Sequence, residues 1–182
     1  MLEVDFQGPF CLLPRDKLPT LFASEAAHDS GIYLWTFEHK QAHRIHYVAA
    51  ASTSIAEENL ALMTQILLGK RPIYDQNKLA DGVLEILSQH SSTVADKCAA
   101  NAAAFQQLNK INVFFARTCE NSATDQRIAS GILLKLLNFG EIPTAWLEHG
   151  LRNATPELEK SGDTVRFRRP AFIASLQDEM YL

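Results

Sequence analysis

The chain lacks most of the features that assign a protein to a class at sight. Its three cysteines, Cys11, Cys98 and Cys119, are odd in number, widely scattered and without a C-x-x-C pair. That spacing argues against a disulfide framework and a structural zinc site, and it fits a reducing compartment. No apolar run approaches the roughly eighteen residues of a membrane span, and no basic stretch precedes an apolar one near the N-terminus. No membrane association is therefore read, and a cytoplasmic location is the expectation. Positive charge is short as well. Lys and Arg number 17 against 21 Asp and Glu, a net charge of −4, so any contact with a phosphate backbone must come from a local patch.

What the chain does have is apolar content, 47% of 182 residues, enough to bury one core. No repeat, low-complexity tract or flexible linker divides it, so residues 1–182 read as one domain. Residues 31–37 (GIYLWTF) and 44–51 (RIHYVAAA) are rich in β-formers and flank the polar EHKQAH, the pattern of a hairpin with a longer loop. Ser54 and Glu57 form a capping box that starts a helix with Ile55, Leu62, Met63, Ile66 and Leu67 on one side and Gly69 as its stop. GKRPIYDQN then reads as a loop, while residues 79–87 fit neither the strand nor the helix period.

A second helix is expected over 92–110, with Val94, Cys98, Ala102, Phe105 and Leu108 at helical spacing. INVFFART follows as a buried strand, and a third helix over 122–139 presents Ile128, Ile132, Leu133, Leu136 and Leu137 before a stop at Gly140. TVRFRRP alternates like an exposed edge strand, and Gly8-Pro9 is a turn signal. The expected fold is α+β: a small antiparallel or mixed central sheet of about three strands, the hairpin plus a third strand, flanked by helices.

The order hairpin, helix, third strand, helix, with Gly31-Ile32-Tyr33 and Tyr47-Val48-Ala49 in the hairpin, resembles the GIY-YIG nuclease superfamily. The likeness is to a bacterial branch reading roughly GIYLWT, then YVGETG, then SGxYxIYD. It runs without a gap from Ser52 to Leu68, and Gly69, Ile73, Tyr74 and Asp75 coincide with the later motif. On this resemblance a GIY-YIG-like core spans about 28–140, with extensions over 1–27 and 141–182.

Phosphodiester cleavage needs a deprotonated nucleophile, a cation for the nonbridging oxygens and a carboxylate-held metal for the leaving oxygen. The resemblance implies that two strand tyrosines, a helix arginine and a later glutamate supply these. Tyr33 and Tyr47 match the two tyrosines, and Ala49 replaces the family's glycine. The arginine position falls on Glu58 and the histidine position on Leu62. The register of Arg127 and Gly131 puts the metal-binding glutamate position on Ser130, with Asp125 and Glu120 about a turn or more upstream. A glutamate in an arginine's seat turns an attraction of about 4 kcal/mol per contact, at about 4 Å, into a repulsion of similar size.

The expected function is accordingly a catalytically degenerate GIY-YIG-like domain that binds nucleic acid or protein. The competing readings are an active Mg²⁺- or Mn²⁺-dependent endonuclease whose metal carboxylate comes from Glu57 or Glu58, and a partner-binding subunit with an acidic cleft. Lys70, Arg71, Tyr74 and Arg127 are the candidate binding residues, the first three because they sit in or beside the IYD motif. Arg166, Arg168 and Arg169 read as surface charge. His39, His43 and His46 read as a solvated hairpin loop, with His43 and His46 on opposite faces, and no metal or cofactor is assigned.

Overall fold

The computed structural model describes residues 1–15, 17–87, 94–118, 122–139, 146–152, 162–174 and 176–182. In chain order its elements are β1 (Leu2–Asp5), β2 (Gln7–Cys11), β3 (Gly31–His39), β4 (Ala42–Ala51), α1 (Ile55–Leu67), α2 (Gln76–Ala80), α3 (Val94–Lys110), β5 (Ile111–Arg117), α4 (Ser122–Phe139), α5 (His149–Arg152), β6 (Thr164–Arg168), β7 (Ile173–Ala174) and β8 (Glu179–Tyr181). The fold is α+β. The hairpin and third strand read from the sequence form the middle of a five-stranded sheet ordered β2-β5-β3-β4-β7. The two termini extend it: β2 pairs antiparallel with β5, and β7 pairs parallel with β4. A second sheet, ordered β1-β6-β8, is built from the same two ends of the chain.

β3 is buried on both faces from Gly31 to Phe37, which is why it reads as an unbroken apolar run. Tyr33, Trp35 and Phe37 face one core with α1, α3 and residues 73–84. Ile32 and Leu34 face the other, with α4 and the second sheet. Gly31 lies so close to the neighbouring strand that a Cβ there would stand 2.2 Å from the Ala116 carbonyl oxygen. The G of the GIY triplet is thus a packing requirement of this sheet.

Several sequence expectations change in three dimensions. EHKQAH is not a long loop: the strands run on to His39 and from Ala42, and Lys40 and Gln41 alone turn the chain with φ of 50° and 63°. Two successive left-handed residues match the twist of a tight hairpin. Gly8-Pro9 marks no reversal but lies within β2, where the register against β5 slips between Gln7 and Phe10. A proline without an N–H is tolerated there because β2 is the sheet's edge strand.

TVRFRRP is not an edge. β6 is the central strand of its sheet, and Arg166 and Arg168 are exposed because one face of that sheet meets solvent. They pair across the sheet with Glu179 at 2.7 Å and Glu3 at 3.1 Å. On α3, Phe105 is 51% exposed and Cys98 is also exposed, while Ala104 and Leu108 carry the buried face. Helical spacing alone could not fix which side of α3 turns inward. Residues 79–87 divide: Leu79 belongs to α2, and Ile86 bridges to Tyr74. Asp75 closes the preceding loop by capping α2, accepting the amides of Asn77 at 2.8 Å and Lys78 at 3.1 Å. Gly140, Cys119, Glu120 and the serine cap at residue 92 lie outside the described residues.

Candidate functional site

The antiparallel register of β3 and β4 puts Tyr33 opposite Ala49 and Trp35 opposite Tyr47, so both tyrosines share one face. Their ring centroids are 6.1 Å apart. An irregularity between Trp35 and Thr36 turns His46 to the same face, where it stacks on Phe37 at 4.3 Å. His43 lies on the opposite face against Phe114. His46 is therefore no solvated loop residue; it is 1% exposed. Burial, assisted by the positive charge of Arg71, lowers its pKa from 6.5 to about 3, against a weaker opposing hydrogen bond that the ring donates to the Trp35 backbone.

Helix α1 crosses above this face. Its capping box forms in part, Ser54 accepting the Glu57 amide at 3.2 Å. One residue on, Glu58 turns inward and accepts the Tyr33 hydroxyl at 3.2 Å. Tyr33 is 1% exposed. Burial first, then the charge of Tyr47 and Glu58, pushes its pKa far above the usual phenol value. Glu58 thus holds the proton on the phenol. Buried Asn59 accepts the indole N–H of Trp35 at 2.5 Å and donates to the Ile55 carbonyl at 2.7 Å, locking α1 to the sheet.

A cation does reach the tyrosines, from a different element. Arg71, in the loop after α1, lies 4.8 Å over the Tyr47 ring. One of its terminal nitrogens stands 2.5 Å from both carboxylate oxygens of Glu148. Burial alone would lower the Arg71 pKa, but the Glu148 charge and hydrogen bond more than offset it. Tyr47 is raised by burial against the opposing pull of Arg71. The loop is pinned from α3, where Gln107 accepts the Tyr74 amide at 2.7 Å and donates to the Pro72 carbonyl at 3.2 Å. Tyr74 is itself 1% exposed, its hydroxyl has no hydrogen-bond partner among the described residues, and its pKa is raised, chiefly by burial.

Glu148 was not legible as a site residue. It lies in the C-terminal extension beside Trp146 and Leu147, and its amide donates to the His46 carbonyl at 2.8 Å. Trp146 receives the guanidinium of Arg44 at 4.8 Å, which fixes this segment along β4. Gln107 and Asn59 carried no local signal either, since only partners distant in sequence give them a role.

The other candidates are placed elsewhere. Ser130 and Arg127 belong to α4, whose packed residues join the core on the opposite face of the sheet from Tyr33. Arg127 approaches Asp163 at 4.0 Å. Lys70 is exposed beside a hollow of about 510 Å³ whose lining includes Arg71, Pro72, Ile73 and Ile86. A larger hollow of about 630 Å³, bordered by Asp5, His28, Asp29, Thr53 and Arg117, involves neither tyrosine. Two carboxylates, Asp5 and Asp29, line the larger hollow and, among the described residues, no acidic side chain lines the smaller one, which gives the smaller hollow the better claim to an anion.

The resemblance implies magnesium for an active enzyme. Beside Tyr33 the described side chains bring one carboxylate, Glu58, already engaged by the phenol, and among the described residues no three His, Cys, Asp or Glu converge. Those residues do not make the carboxylate seat that magnesium favours. Among the described residues, no helix is long and apolar enough to cross a membrane. Comparisons with family models, curated proteins and solved structures return no match.

Proposed function

We propose that this chain is a catalytically degenerate GIY-YIG nuclease-like domain in which hydrolysis is lost and the remaining cationic loop binds nucleic acid. The observation that carries the reading is the state of Tyr33: buried, protonated and hydrogen-bonded to a carboxylate that stands where the resemblance implies an arginine. A general base must be able to lose its proton near neutral pH, and this phenol is held in the opposite direction. The Lys70-Arg71 hollow supports nucleic acid as the ligand, because among the described residues two adjacent cations and no acidic side chain line it, the setting for phosphate-backbone contacts. The acidic-cleft reading has less support, since Glu58 and Glu148 both point inward to partners of this chain.

The test is incubation with supercoiled plasmid and Mg²⁺ or Mn²⁺, beside Tyr33→Phe. Intact plasmid with both proteins is expected. Nicking that disappears in Tyr33→Phe would instead establish the competing reading, an active endonuclease with its carboxylate moved to Glu57 or Glu58.

A further inference from the structure

The Arg71–Glu148 pair is built unlike an ordinary structural ion pair. Glu148 uses both oxygens on a single terminal nitrogen of the guanidinium, while the buried Nε of Arg71 has no partner among the described residues. An unsatisfied buried donor thus lies beside the ion pair, on an arginine that together with Lys70 lines a hollow of about 510 Å³. A buried donor without an acceptor is costly, and an anion seated across both the terminal nitrogen and Nε, as the two nonbridging oxygens of a phosphodiester can be, satisfies both.

From these observations we propose that Arg71 and Lys70 form a phosphodiester seat whose arginine the Glu148 carboxylate occupies in cis. Glu148 reaches it on the segment Trp146–Arg152, held to the sheet by the His46 carbonyl and to Arg44 by Trp146. A phosphate of a nucleic-acid backbone entering from the hollow takes the place of the carboxylate on Arg71, and the segment withdraws. The ligand-free protein is therefore self-occluded, and its apparent affinity is lowered by the fraction of molecules in which Glu148 is seated. This rests on the nucleic-acid-binding reading above and names the subsite and its internal competitor.

The experiment is fluorescence anisotropy of a labelled single-stranded oligonucleotide at low salt. Glu148→Gln, which keeps the shape of the side chain and removes its charge, is expected to bind at least about tenfold more tightly than wild type. Adding Arg71→Gln is expected to abolish that gain. Binding no tighter than wild type, or a gain that survives Arg71→Gln, would overturn the proposal. Where Glu148→Gln does not fold, Glu148→Asp withdraws the carboxylate by one methylene and is held to the same two criteria.

Hydrogen exchange on the wild-type protein provides a measurement free of substitutions. The Glu148 amide is expected to exchange faster when the oligonucleotide saturates the protein, and unchanged or slower exchange counts against displacement. The two readings fail separately. Tyrosine-dependent nicking by Glu148→Gln would overturn the loss of hydrolysis and leave the seat standing, whereas absence of any binding gain would overturn the seat alone.

Discussion

Acidification should destabilise this protein through one histidine. His46 is enclosed by Phe37 at 4.3 Å, Trp35 at 5.9 Å and the edge of Tyr74 at 6.4 Å, its Nδ1 has no hydrogen-bond partner among the described residues, and Arg71 adds positive charge nearby. The folded state therefore keeps the ring neutral down to a pKa of about 3, whereas the unfolded chain takes up a proton near 6.5. Above that upper value both states are neutral and the residue has no pH-dependent effect. Between the two values only the unfolded state is protonated, so stability falls with falling pH by about 1.4 kcal/mol per unit.

From pH 7.5 to 4.5 the loss is about 2.7 kcal/mol, a large share of a typical domain stability of about 5–15 kcal/mol. Urea denaturation of wild type and His46→Phe across this range isolates the contribution, because other titrating groups act on both proteins. The variant keeps an aromatic ring and lacks the basic nitrogen. Its stability relative to wild type is expected to improve by about 2–3 kcal/mol from pH 7.5 to 4.5. Parallel curves would refute the reasoning, since they would mean that the buried ring does not resist protonation.

The Tyr33–Glu58 hydrogen bond is expected to give a favourable coupling of about 1 kcal/mol in a double-mutant cycle of Tyr33→Phe and Glu58→Gln, reduced from the full strength of a charged hydrogen bond by the partial exposure of Glu58. An unfavourable coupling would mean that the phenol is anionic and repels the carboxylate. Gly31→Ala is expected to cost about 3 kcal/mol or more in thermal or urea melts, because the added methyl meets the Ala116 carbonyl; a near-neutral result would remove the close approach as the reason for glycine. Ser130→Glu is expected to restore no metal-dependent nicking, since α4 packs on the other face of the sheet; nicking by this variant would place α4 in the site.

How much of the site was legible depended on the range of the signal. Tyr33 and Tyr47 were found because a hairpin converts local sequence directly into proximity, and Arg71 because it adjoins the IYD motif. Glu148 was missed because it meets Arg71 across 77 residues and Trp146-Leu147-Glu148 has no periodicity of its own. His46 was misread for a related reason: simple alternation says which face a strand residue takes, but not what covers that face.

The sequence by itself determined the hairpin, the capped start of α1, the buried third strand and the α+β class, because each follows from patterns within a few neighbouring residues. It also determined that a carboxylate stands at the α1 position where the resemblance implies an arginine. Only the tertiary structure decided that this carboxylate accepts the Tyr33 hydroxyl and keeps it protonated, that the cation arrives from the next loop, and that the C-terminal segment closes over it. Those outcomes depend on which elements pack against the same sheet face, and contacts between residues far apart in the chain leave no periodic trace in the sequence.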